Sequence, residues 1–101
     1  MAVIDDKTRI KKGPQVAAQG LGASEGGVLL HLKSGQYHGV DNVGWVIWGL
    51  LDGSRDVAEL ADELRHRFPN APDQLTDDVK NFIQGLLERE LVEILAPNPE
   101  V

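Results

Sequence analysis

Between Gly35 and Gly53 the apolar residues change from alternation to a repeat of about 3.6 residues, with almost no linker between the two patterns. Gln36-Tyr-His-Gly-Val40 reads as the end of a short strand. From Val43, apolar residues recur at Val46, Ile47, Leu50 and Leu51, the i, i+3, i+4, i+7, i+8 template of a helix with one buried face. Asp41 or Asn42 supplies the N-cap, and Asp52-Gly53 supplies the stop. A strand that runs directly into such a helix requires a small sheet packed on helices, so the rest of the chain is read against this joint.

The chain has 101 residues, enough for one domain with one core. It has no cysteine, which excludes disulfides and thiolate-ligated metals and fits a reducing compartment, so a cytoplasmic location is expected. No apolar run approaches the ~20 residues of a membrane span, and the N-terminus carries no apolar targeting segment. Net charge is −6, from 16 acidic and 10 basic side chains. A protein that neutralises phosphates needs a basic footprint, and this chain lacks one overall.

Three segments follow from composition. Residues 1–13 hold Lys7, Arg9, Lys11 and Lys12 around the apolar Ile10 and are expected to be loose or weakly paired. Residues 14–95 form the folded domain, and residues 96–101, with Pro97 and Pro99, a frayed tail. Within the domain, Gln15 to Leu21 is a marginal first strand, and the glycine-rich stretch from Gly20 to Gly27 a flexible connection. Val28–Lys33 and Gln36–Val40 flank Ser34-Gly35, which reads as a two-residue hairpin turn. That register sets Leu32 against Tyr37 and His31 against His38. It puts Leu30, Leu32 and Tyr37 on the core face and the two histidines on the solvated one. Gly39 is read as a bulge or a close backbone approach, letting Val40 turn inward.

A second helix starts near Asp56, with Glu59 completing a capping box, and carries Val57, Leu60, Ala61, Leu64 and Phe68 on one stripe before Pro69. A third starts between Asp73 and Thr76 and carries Leu75, Val79, Phe82, Ile83, Leu86 and Leu87. Leu91 to Leu95 either prolongs it or forms a short terminal strand. In the first helix Trp48 belongs to the core. Trp45 lies nearly opposite and either caps the sheet or remains as a contact surface for a partner.

Catalytic signatures are missing: there is no cysteine nucleophile, no His-Glu-x-x-His and no phosphate loop ending in Gly-Lys-Ser/Thr. His31 and His38 have no third ligand at strand spacing, so no metal site and no cofactor are expected. Asp73, Asp77 and Asp78 sit in the first turns of the third helix, where its dipole favours negative charge. The chain reads as a binding module, not an enzyme. A hairpin with three helices is the plan of a winged helix-turn-helix, but a third helix with Asp77, Asp78 and Glu88 would repel phosphate, which makes nucleic acid the poorer partner.

The residues Val28-Leu-Leu-His-Leu-x-Ser-Gly-x-Tyr-x-Gly-Val-Asp-x-Val-Gly-x-x-Ile-Trp-x-Leu-Leu-Asp-Gly53, then Val57-x-x-Leu60, then Asp78-x-x-x-Phe82-x-x-x-Leu86-x-x-x-x-Leu91-Val92, resemble the PqqD-like family, the recognition elements of ribosomal peptide-modification pathways. Within it the pattern is most similar to the stand-alone leader-binding proteins of lasso-peptide biosynthesis, which serve antibiotic-type products. One departure is Glu90, where the family usually has Gly, and this puts the left-handed ending of the third helix in doubt.

The resemblance implies an α+β, winged helix-turn-helix-like fold, with an N-terminal three-stranded antiparallel sheet followed by three helices. It implies a non-catalytic protein that binds the leader of a precursor peptide, with a Tyr-x-x-Pro motif, as an extra strand on the third strand of the sheet. The implied contacts are Leu30, Leu32, Gln36, Tyr37, His38, Gly39 and Val40 on the sheet, and Asp78, Val79, Phe82, Ile83 and Leu86 on the third helix. Implied partners are a separate cysteine leader peptidase, for which Trp45 is the candidate contact, and an ATP-dependent macrolactam cyclase. Alternatives are a peptide chaperone of pyrroloquinoline quinone biosynthesis, serving a radical enzyme, and an acidic winged-helix regulator that binds DNA or protein.

Overall fold

Asp41 turns the chain from strand to helix. Its backbone is extended, and its carboxylate accepts a hydrogen bond from the Gly44 N–H at 2.7 Å, so the helix begins one residue later. The computed structural model describes residues 4, 6–22, 25–71 and 73–95. Along these run β1 (Arg9–Lys12), β2 (Val16–Gly20), β3 (Gly27–His31), β4 (Tyr37–Val40), α1 (Asn42–Leu50), β5 (Asp52–Asp56), α2 (Val57–Arg67), α3 (Leu75–Glu88) and β6 (Val92–Leu95). The class is α+β. The expected frayed tail lies outside the described residues.

The strands form two antiparallel sheets, ordered β2-β3-β4 and β5-β1-β6. The second sheet corrects the expectation for residues 1–13. Ile10, the only apolar residue of β1, is fully buried, while Arg9 and Lys11 stay exposed. Pairing on both sides satisfies the backbone of β1 whatever its side chains are. Just upstream, the carbonyls of Thr8 and Asp6 accept the N–H groups of Val57 and Ala58, two of the orphan donors that open α2. Lys80 also reaches Asp6 at 2.8 Å. Likewise β5, with the sequence Asp-Gly-Ser-Arg-Asp, has no strand propensity of its own and forms because β1 supplies its ladder.

α1 and α2 keep their expected N-caps, whereas Asp52-Gly53, expected as the stop of α1, opens β5 after the C-cap Leu51, and α3 starts after Gln74 with no side-chain cap. Asp56 and Glu59 exchange hydrogen bonds with each other's backbone N–H at 2.9 Å, a complete capping box. Their apolar stripes meet in one core built from Ile47, Trp48, Leu50, Leu51, Val57, Leu60, Leu64, Leu75, Val79, Ile83 and Leu86, closed by Leu29, Ile10, Leu91 and Val92. Among the described residues no helix is long and apolar enough to cross a membrane.

α3 ends in a left-handed residue even though that residue is not glycine. Glu90 has φ +59°, its N–H donates to Leu87 O at 3.0 Å, and the Leu91 N–H donates to Leu86 O at 2.9 Å. These two bonds, with Leu91 buried behind them, make a Schellman ending. The chain then turns at once into β6, so Leu91–Leu95 does not prolong the helix.

The hairpin register differs from the one expected. Leu30 faces Tyr37, Leu29 faces His38, and His31 faces Val16 of β2. The loop is longer than Ser34-Gly35: the His31 N–H donates to Gln36 O at 3.0 Å and its carbonyl accepts from the Gly35 N–H at 2.8 Å, leaving residues 32–35 as the turn. A two-residue slip preserves parity, so Leu30, Leu32 and Tyr37 do share a face. It is the outer face: Tyr37 is 71% and Leu32 58% exposed. Leu29 and His31 are buried on the inner one, and His31 Nδ1 accepts the Ser34 N–H at 3.3 Å. The pairing stays regular through Gly39, opposite Val28, so there is no bulge there. Val40 is half-buried against the core, as expected.

Candidate functional site

The site lies where β4 borders α3. Among the described residues β4 pairs with β3 on one side and with no strand on the other. The direction of its free groups follows from the ladder. Because the His31 N–H donates to Gln36 O, the hydrogen-bonded pairs of β3 and β4 are His31/Gln36, Leu29/His38 and Gly27/Val40. The N–H and C=O groups of Tyr37 and Gly39 therefore point to the open edge.

Two cavities lie beside α3, the smaller of them along this edge. The smaller, 340 Å³, is enclosed by Tyr37, His38, Gly39 and Val40 of β4 and by Phe82, Leu86 and Arg89 beneath them. The larger, 610 Å³, lies between the start of α1, the α2–α3 connection and the first half of α3, and is lined mainly by Val43, Ile47, Phe68, Leu75, Val79 and Phe82. Phe82 lines both, so its ring is the wall the two cavities share beside α3. The ring can sit there because residue 44 is glycine: a Cβ on Gly44 would come within 3.0 Å of it.

Of the residues expected from sequence, Tyr37, His38, Gly39, Val40, Phe82 and Leu86 meet around the smaller cavity, and Asp78 and Val79 line the larger. Ile83 is fully buried in the core and lines neither. Leu30 and Leu32 line neither cavity, and Gln36 commits its carbonyl to His31. Trp45 is half-buried and packs on Gly20 and Gly27, which places it as a cap on the sheet. Sequence reasoning missed Val43, Phe68, Leu75 and Arg89. For Val43 the signal was there: it opens the apolar stripe of α1, yet at 37% exposure the core leaves it uncovered. Among the described residues no group of three or more metal-ligating side chains comes together.

A family model described as Coenzyme PQQ synthesis protein D (PqqD) matches residues 26–92. The chain belongs to the PqqD family. The matched span begins at β3 and runs into β6, so it contains both walls of the groove. Relatives in the family include a PqqA binding protein of Pseudomonas entomophila (strain L48), 40% identical over 62 residues, which are 61% of this chain and 65% of that one. Another, of Pseudomonas syringae pv. syringae (strain B728a), is 38% identical over 50 residues, 50% of this chain and 52% of that one. The chain thus spans about half to two thirds of the length of these curated relatives.

Two solved structures share the PqqD-family fold seen here. One, TbiB1 in complex with the TbiA(beta) leader peptide, superposes with a TM-score of 0.71 at 30% identity over 85% of this chain and 98% of that one. The other, a lasso peptide synthetase B1 complexed with the leader peptide, gives 0.70 at 19% identity over 84% and 98%, a likeness of fold alone.

Proposed function

We propose that this chain is a non-catalytic recognition protein that binds the leader of a ribosomally made precursor peptide of the lasso class, as a strand added to β4 above α3. The observation that carries this reading is the coincidence of free backbone groups at Tyr37 and Gly39 with a groove on the α3 side of the same strand. Family membership and the two leader-bound structures of the same fold support it.

Magnitudes assign the work within the groove. Four edge hydrogen bonds at about 0.5–1.5 kcal/mol each are largely offset by the ~2–5 kcal/mol needed to order a flexible peptide. The surplus comes from apolar side chains, at about 1.5–3 kcal/mol each when fully buried. The pockets around Phe82 therefore set affinity and specificity. The recognition domain covers residues 14–95 together with β1, and a winged-helix comparison applies to its hairpin and helices. The bound leader, with its Tyr-x-x-Pro motif, would be presented in the cytoplasm to a separate cysteine peptidase and an ATP-dependent macrolactam cyclase.

The relatives named PqqA binding protein support a second reading, a peptide chaperone of the pyrroloquinoline quinone type. Both readings use the same groove. The test is fluorescence polarisation with the labelled leader encoded beside this gene, on wild type and on Phe82→Asp with its folding verified by circular dichroism. Submicromolar to micromolar binding by wild type, lost in the folded variant, is the expected result. A wild-type protein that binds no leader overturns the proposal.

A further inference from the structure

The groove along α3 is polarised by charges that no side chain of the described residues neutralises. Arg89 lines the end beside Tyr37 and His38, and Asp41 and Asp78 line the end beside Val43 and Phe68. Among the described residues Arg89 has no carboxylate within ion-pair distance; its guanidinium donates only to Gly85 O of its own helix, at 3.1 Å. Asp41 and Asp78 likewise have no cation partner there. Arg67 also lines the acidic end, but its Nε is held by Glu63 at 3.2 Å, so that end keeps its negative balance. Between the two ends the lining is predominantly apolar.

We infer that this polarity sets the direction and register of the bound peptide: an acidic residue of the peptide lies beside Arg89 and a basic one beside Asp41 and Asp78, with apolar residues between them. The inference rests on the strand-addition reading given above. Asp78 and Arg89 are 11 positions apart on one helix. At 1.5 Å per residue that is about 16 Å, the length of about five residues of extended chain. Exposed ion pairs add little affinity, but reversing the peptide would put like charges together at both ends, and that is how charge selects orientation.

The test needs no knowledge of the natural leader. A random twelve-residue peptide library displayed on phage is selected on wild type, and an enriched peptide is synthesised together with a version in which its acidic and basic residues are exchanged. The expected consensus has one acidic and one basic position about five apart. The exchanged peptide should bind about tenfold more weakly at low salt, with the difference shrinking as salt rises. In the double variant Arg89→Glu, Asp78→Lys, both sites being exposed, the preference should reverse. Selected peptides that bind with no charge preference, or a preference unchanged in the double variant, overturn the inference and leave peptide binding intact. Failure to enrich any peptide overturns both.

Discussion

The six-membered ring of Trp45 covers Gly27 so closely that a Cβ added to Gly27 would overlap ring atoms Cε3, Cζ3 and Cδ2. The same indole borders Gly20, where an added Cβ would stand 3.2 Å from Cζ2. Gly20 and Gly27 are cross-strand partners in β2 and β3, so two absent side chains make a flat seat for one large one. Gly27→Ala forces this seat open and is expected to destabilise the fold by about 1–3 kcal/mol, the usual cost of overpacking. Urea unfolding checks it, and a cost below ~0.5 kcal/mol would mean the indole is free to swing away.

Glu90 presents the opposite case. Its left-handed φ suits glycine, and the Schellman bonds hold it there regardless. Glu90→Gly removes a steric cost of about 1–2 kcal/mol but adds the entropy of a more flexible unfolded chain, about 0.5–1 kcal/mol. A net gain of up to about 1.5 kcal/mol is expected. Thermal unfolding decides, and a lower midpoint for the glycine variant would contradict the assignment.

Adjacent proline substitutions separate the edge from the ladder. The Tyr37 N–H points to the open edge, so Tyr37→Pro loses no internal hydrogen bond. It should leave stability nearly unchanged while weakening leader binding by at least about 2- to 12-fold, the worth of one bond of about 0.5–1.5 kcal/mol. That figure is a minimum because the Tyr37 side chain that lines the groove is lost as well. The His38 N–H points to Leu29. His38→Pro should therefore destabilise the fold by about 1–3 kcal/mol through an unpaired partner. Equal effects of the two on stability would show that the ladder parity is wrong.

Asp52 supplies a pH-dependent contact at the start of β5. Its carboxylate accepts from the Ser54 hydroxyl at 2.6 Å and from the Ser54 N–H at 2.9 Å, with Arg55 3.7 Å away, and these hold its pKa below the usual value. A carboxyl depressed in the folded state stabilises it above the unfolded-state pKa and loses that contribution as pH falls through the folded-state pKa. The stability gap between wild type and Asp52→Asn is therefore expected to be present at neutral pH and to close in acid below the ordinary carboxylate range. A gap that widens in acid would reverse the sign.

What the sequence alone determined is local. Helix periodicity placed three buried stripes, Asp56 with Glu59 marked a capping box, and the Gly35–Gly53 joint located strand and helix. The hydrophobic spacing also put Phe82 on the helix face that borders the sheet. Non-local choices belonged to the tertiary structure. Which face of the hairpin is inner was decided by Trp45 seated on Gly20 and Gly27, because alternation gives parity but not side. Arg9–Lys12 became a strand by pairing with both β5 and β6, and Asp52–Asp56 by pairing with β1, since backbone pairing does not need apolar side chains. The groove itself arises where Val43 and Phe68, distant in sequence, are brought together around α3 and left partly uncovered.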